Sequence, residues 1–147
     1  RPGTEPMPAI SAFAAAVGAL PDLKKEEERI RGLNKLLRER LQAIPQVKIH
    51  SLEKGIPYIV NLSAGTVRAE TMLHFLAERG VFVSTGSACA KGKESHVLSG
   101  MGLPKEEIAS SLRVSFSRMN GEEDVDAFAC ALEEGLSVLA RKGLKRV

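Results

Sequence analysis

Apolar residues recur at helical spacing in four stretches of the chain and at strand spacing in four others. Ile10, Phe13, Ala14 and Val17 lie three and four residues apart behind Pro6 and Pro8. Prolines suit a helix start, so this is a first helix, interrupted by Gly18 and Pro21. Asp22 is placed to cap a second, longer helix whose stripe is Ile30, Leu33, Leu37, Leu41 and Ile44, with charged residues from Lys24 to Arg31 turned to solvent and Pro45 as its stop. Arg68 to Arg79 predicts a third helix, with Leu73, Leu76 and Ala77 on one face and Gly80 just past its end. A last helix carries Val125, Phe128, Leu132, Leu136 and Leu139, and Asn120 followed by Glu123 resembles its cap.

Strand candidates fall between these. Val47 to His50 is short. Tyr58-Ile59-Val60-Asn61-Leu62 is nearly continuous in apolar character, as in a strand buried on both faces, and Gly65 breaks it. Val81-Phe82-Val83 is another candidate. Leu112 to Ser117 alternates strictly, with Leu112, Val114 and Phe116 on one face and Arg113, Ser115 and Ser117 on the other. Residues 84–102 are rich in Gly and Ser, with a helical turn around His96 to Met101; a long irregular segment inside a compact domain is usually functional or mobile. The predicted order is α-α-β-β-α-β-loop-β-α: four short strands in one sheet with amphipathic helices on a face, a two-layer α/β sandwich.

A length of 147 residues fits one domain, and 44% hydrophobic with 27% charged residues is ordinary for a globular one. With no Trp and one Tyr, the core rests on Leu, Ile, Val and Ala. The net charge of +3 is concentrated in Arg141 to Arg146, which reads as a solvated helix end. No basic stripe with interleaved aromatics supports nucleic-acid binding, and no run of ~18 apolar residues would span a membrane. Two cysteines are too few for a disulfide scaffold and imply a reduced, cytoplasmic setting. The chain opens at Arg1 without Met, inside a motif-like Arg1-Pro2-Gly3-Thr4, which reads as a piece of a longer protein.

The two cysteines differ. Cys89 follows Gly86-Ser87-Ala88 and precedes Ala90-Lys91-Gly92-Lys93; small neighbours leave its sulfur accessible, and two nearby cations favour the thiolate. Cys130 sits in Phe128-Ala129-Cys130-Ala131-Leu132 on the last helix, where a free Cys behaves as a small hydrophobe. Arg113 lies between two apolar strand positions on the opposite face, and its planar fork suits a carboxylate, although a solvated sheet face explains it equally well. His50, His74 and His96 are scattered singly, without metal-ligand spacing, so no metal site is expected.

Ser84-Thr85-Gly86-Ser87-Ala88-Cys89 resembles the catalytic-cysteine loop of cysteine desulfurases of the NifS and IscS type. The resemblance continues through Ser95-His96-Val97-Leu98, Met101-Gly102-Leu103, Leu112 to Ser117 and Glu122 to Asp126, and Arg1-Pro2-Gly3-Thr4-Glu5 is similar to an Arg-Ser-Gly-Thr element of that family. The motifs follow in family order over essentially the whole chain.

The resemblance implies the small C-terminal domain of a fold-type I pyridoxal-phosphate enzyme of the class V aminotransferase family, with residues 1–21 a helix leading from an N-terminal cofactor-binding domain and residues 22–147 the small domain. It implies removal of sulfur from L-cysteine as an enzyme-bound persulfide, leaving L-alanine. Cys89 would be the attacking thiolate, Arg113 would hold the substrate carboxylate, and Thr4 would lie near the cofactor phosphate across a dimer interface. Implied partners are a second copy of the full-length protein and a sulfur acceptor, either an iron–sulfur scaffold or a tRNA-thiolation enzyme. The family's Schiff-base lysine follows a histidine, and no His-Lys pair occurs in this sequence; the chain alone is therefore expected to be inactive. Two other readings stay open: a stand-alone sulfur carrier or redox-thiol module using Cys89 without cofactor, and a binding domain that retains only the fold.

Overall fold

A computed structural model describes residues 3–85 and 95–143. Six helices and three strands follow one another among these residues: α1 (Met7–Gly18), α2 (Leu23–Gln42), β1 (Val47–Ile49), β2 (Ile59–Ala64), α3 (Ala69–Ala77), α4 (His96–Gly100), α5 (Lys105–Ala109), β3 (Ser111–Ser115) and α6 (Glu122–Gly143). The sheet is antiparallel in the order β1-β2-β3, with Ile49 opposite Leu62 and Leu62 opposite Leu112.

The cores of the long helices lie where the apolar stripes place them. Asp22 caps α2 by accepting hydrogen bonds from the backbone N–H groups of Lys24 and Lys25, and Ile30, Leu33, Leu37, Leu41 and Ile44 are all buried. On α6, Val125, Phe128, Leu132 and Leu136 are buried. These side chains join Val60, Leu62, Leu112 and Val114 from the sheet and Met72 and Leu76 from α3 in one cluster. Helices α2, α3 and α6 thus cover one face of the sheet, giving the expected two-layer α/β sandwich. Part of the other face is covered by the short α4 and α5. Lys48, which alternates away from Val47 and Ile49, meets Glu107 of α5 there in a 2.6 Å ion pair.

Several local expectations change. Val81-Phe82-Val83 forms no strand. The Val81 N–H turns back to the Leu76 carbonyl at 3.0 Å, and Gly80, with φ +75°, supplies the left-handed residue of this helix end. Phe82 is left exposed, Val81 and Val83 pack against the core, and the only pairing with the sheet among the described residues is a bridge between Ser84 and Arg113. The sheet therefore has three strands among the described residues. Helix α3 buries Ala69, Met72, Phe75 and Leu76, so its inward face is centred differently from the predicted Leu73, Leu76 and Ala77. Strand β2 is not buried on both faces along its length, since Ile59 stays 44% exposed. Asn120 does not cap α6; its side-chain carbonyl accepts from the Ser117 N–H, and Asp124 accepts from the Gly121 N–H instead. Cys130 is exposed rather than packed, because the buried positions around it are Phe128, Ala129, Ala131 and Leu132. Helix α5 was not anticipated: at five residues it is too short for a period to show.

Candidate active site

The polar face of the sheet carries a row of side chains across all three strands. Arg113 pairs with Asn61 in the β2–β3 register, and the His50 N–H donates to the Asn61 carbonyl at 2.9 Å. His50, Asn61 and Arg113 therefore stand side by side on β1, β2 and β3. The Arg113 backbone faces away from β2: its N–H donates to the Ser84 carbonyl at 2.7 Å and its carbonyl accepts from the Ser84 N–H at 3.1 Å. Asn61 and Arg113 are consequently a non-hydrogen-bonded pair, the arrangement in which facing side chains lie closer together. The Asn61 side chain is held by its own bonds, donating to Ser111 Oγ at 2.9 Å and to the Leu112 carbonyl at 3.2 Å.

Above this row lies a cavity of about 260 Å³ whose lining includes His50, Asn61, Arg113, Ser95, Leu98 and Met101. Helix α4 forms its wall. Ser95 caps α4 by accepting from the Leu98 N–H at 3.4 Å, Leu98 is buried, and Gly102, with φ +77°, closes the helix end as Leu103 donates back to Leu98. Three buried polar atoms find no hydrogen-bond partner among the described residues, and all three belong to this region: Arg113 Nε, His50 Nε2 and Ser84 Oγ. A half-buried guanidinium with a buried donor unused suits an anion brought by a ligand. Burial pushes the His50 pKa down, with Lys48 acting in the same direction and Glu107 opposing. The ion pair with Lys48 holds the Glu107 carboxyl below its ordinary range.

The alternation of β3 placed Arg113 on the polar face, and α4 walls part of that face. Cys89, Lys91 and Lys93 lie outside the described residues. The two ends of their segment are nevertheless both at this site: Ser84 is paired with the Arg113 backbone and Ser95 lines the cavity. Thr4 sits in the exposed stretch ahead of α1 and is not part of the cavity lining, so the geometry does not bring it to Arg113. His50 and Asn61 were missed as site residues. The signal for them is pairing register: each is the polar residue opposite the next across the sheet, which a single strand's pattern does not reveal. His74 and His96 are exposed on α3 and α4, and no cluster of His, Cys, Asp and Glu suited to a metal occurs among the described residues.

Residues 1–128 match the family model described as aminotransferase class-V. The chain belongs to that family. Among curated relatives it is 37% identical over 133 residues to cysteine desulfurase IscS of Clostridium botulinum, covering 86% of this chain and 34% of that protein. It is 33% identical over 139 residues to the NifS/IcsS protein homolog of Lactobacillus delbrueckii, covering 91% and 36%. Among solved structures, the NifS-like protein of Rickettsia africae superposes with a TM-score of 0.76 at 31% identity, over 93% of this chain and 36% of that one. The chain thus spans about a third of the length of the class-V relatives it matches. Relatives named cysteine desulfurase are thus similar to this chain in sequence, and a NifS-like protein is similar to it in fold.

Proposed function

We propose that the chain is the small-domain part of a pyridoxal-phosphate-dependent cysteine desulfurase, with residues 1–21 leading in from the cofactor-binding part. The observation that carries this reading is the setting of Arg113: a half-buried guanidinium with an unused donor, in a cavity joined to both ends of the Cys89 segment. That donor set fits the substrate end of a cofactor site. The anchoring end is not supplied by these residues, since no lysine follows a histidine. When bound, the cofactor provides the electron sink that lets the Cβ–S bond of L-cysteine break.

This chain's own residues have three tasks. Arg113 grips the α-carboxylate of L-cysteine with two parallel hydrogen bonds and so fixes the direction of the side chain. The Cys89 thiolate attacks the substrate sulfur, forming an S–S bond as the C–S bond breaks. The net change is L-cysteine plus the Cys89 thiol giving L-alanine plus the Cys89 persulfide, which balances without an oxidant. Cys89 is five positions on from Ser84, a reach of at most about 17 Å, enough to bring the sulfur over a substrate held by Arg113. Thr4 contributes a hydroxyl to the cofactor phosphate of a second subunit. The persulfide is then handed to an acceptor protein, an iron–sulfur scaffold or a tRNA-thiolation enzyme, in the cytoplasm.

Arg113 provides the test. In the full-length enzyme, Arg113→Ala should lower kcat/KM for L-cysteine roughly tenfold to several hundredfold, because a charged hydrogen bond contributes about 1.5–3 kcal/mol and the unpaired carboxylate adds to the loss. Arg113→Lys should recover only part, since an ammonium keeps the charge and loses the fork. Arg118→Ala, beyond the end of β3, should matter less. A folded Arg113→Ala protein with near-normal kcat/KM would remove this residue from the site and the carboxylate-binding reading with it.

A further inference from the structure

His50 is the second unsatisfied group of the Arg113 cavity. Its side chain is only 9% exposed, and its Nε2 is buried without a partner among the described residues. Nδ1 lies 3.9 Å from Glu107 Oε2, and the other oxygen of that carboxylate is bonded to Lys48 at 2.6 Å. Burial disfavours the charged imidazole, and the neutral form carries one N–H and one lone pair. The field of the Glu107 carboxylate favours the proton on Nδ1, leaving the lone pair on Nε2. The cavity thus offers a cationic donor fork at Arg113 and a neutral acceptor at His50. A buried acceptor without a donor is destabilising, and such a group calls for an explanation.

The complementary ligand carries a carboxylate for Arg113 and a hydrogen-bond donor for His50. L-cysteine has two donors, the ammonium and the thiol. In the reaction proposed above the amino group is taken by the cofactor, so the thiol remains for His50. Ser95, where the chain returns from the Cys89 segment, lines the same cavity. We propose that His50 is a substrate-binding residue that accepts a hydrogen bond from the L-cysteine thiol through Nε2, and so favours thiol-bearing amino acids over those without one. This inference rests on the cysteine desulfurase reading.

The test uses the full-length holoenzyme with Cys89→Ala, which holds L-cysteine without sulfur transfer, and compares the Kd of L-cysteine with that of L-alanine, the same amino acid without the thiol. His50→Ala should reduce the preference for L-cysteine about fivefold to tenfold, the worth of one hydrogen bond, and leave L-alanine binding unchanged. His50→Gln, whose amide oxygen falls near the position of Nε2, should restore most of that preference. A structural role would weaken both ligands equally, and that result overturns the inference, as does an unchanged preference in His50→Ala. If Arg113→Ala in the same background binds both amino acids as well as the parent does, the substrate-site reading itself fails, and the His50 assignment falls with it.

Discussion

Cys89 and Cys130 differ in the residues beside them along the chain. Cys130 faces solvent on α6, so brief treatment with an alkylating reagent should label it at the rate of an accessible thiol. Cys89, with Lys91 and Lys93 close in the chain, should label faster still, because cations raise the thiolate fraction. Peptide mapping of the two sites over time checks both statements; a Cys130 as protected as a core residue contradicts its outward placement. The expectation that Cys130 packs inward came from its apolar neighbours Ala129 and Ala131, yet those two take the inward positions and turn Cys130 out. Residue type was a poor guide within Ala127 to Leu132, where consecutive apolar residues cover every side of the helix. It was a good guide on β3, where strict alternation told the face of Arg113. What alternation left hidden was the wall, since Leu98 and Met101 reach Arg113 only through the return of a long segment.

At the scale of elements, stripes of period 3.6 marked the helices that build the core, the breakers Pro45 and Gly80 bounded α2 and α3, and Gly65 bounded β2. The misplaced pieces are short. Val81-Phe82-Val83 has the composition of a strand, but the end of α3 uses its first N–H, so tertiary context overrode propensity. The inward face of α3 was misjudged because its packing is set from α6. Gly135 marks that contact: a Cβ there would stand 2.7 Å from Met72 Sδ and 2.9 Å from the Phe75 ring. Gly135→Val should therefore destabilise the fold by about 1–3 kcal/mol through overpacking, despite the usual gain from removing a helical glycine. Thermal or urea unfolding of the full-length protein measures this, and an equal or higher stability would mean that α3 and α6 are not so closely apposed. The site should be little affected, because this contact lies on the face of the sheet opposite Arg113.

At the scale of the molecule, the chain holds a core and one side of a candidate site, and no lysine in it follows a histidine. Incubated alone with pyridoxal phosphate and reduced with borohydride, it should carry no stoichiometric cofactor on any lysine, and it should release no alanine from L-cysteine. Mass spectrometry of the reduced chain decides; a single lysine loaded to one equivalent would contradict the division of labour proposed for this protein. The same division is visible in α1. No residue of that helix is buried, and Met7, Ile10, Phe13 and Val17 stand exposed, while the core cluster closes without any of them. The residues that close the core are thus written in a stretch of the chain separate from α1. Drift at Ile30 or Leu132 is policed by the domain's own stability, whereas Ile10 and Phe13 lie outside the core that this stability rests on, so the two sets of positions should change at independent tempos as the family diverges.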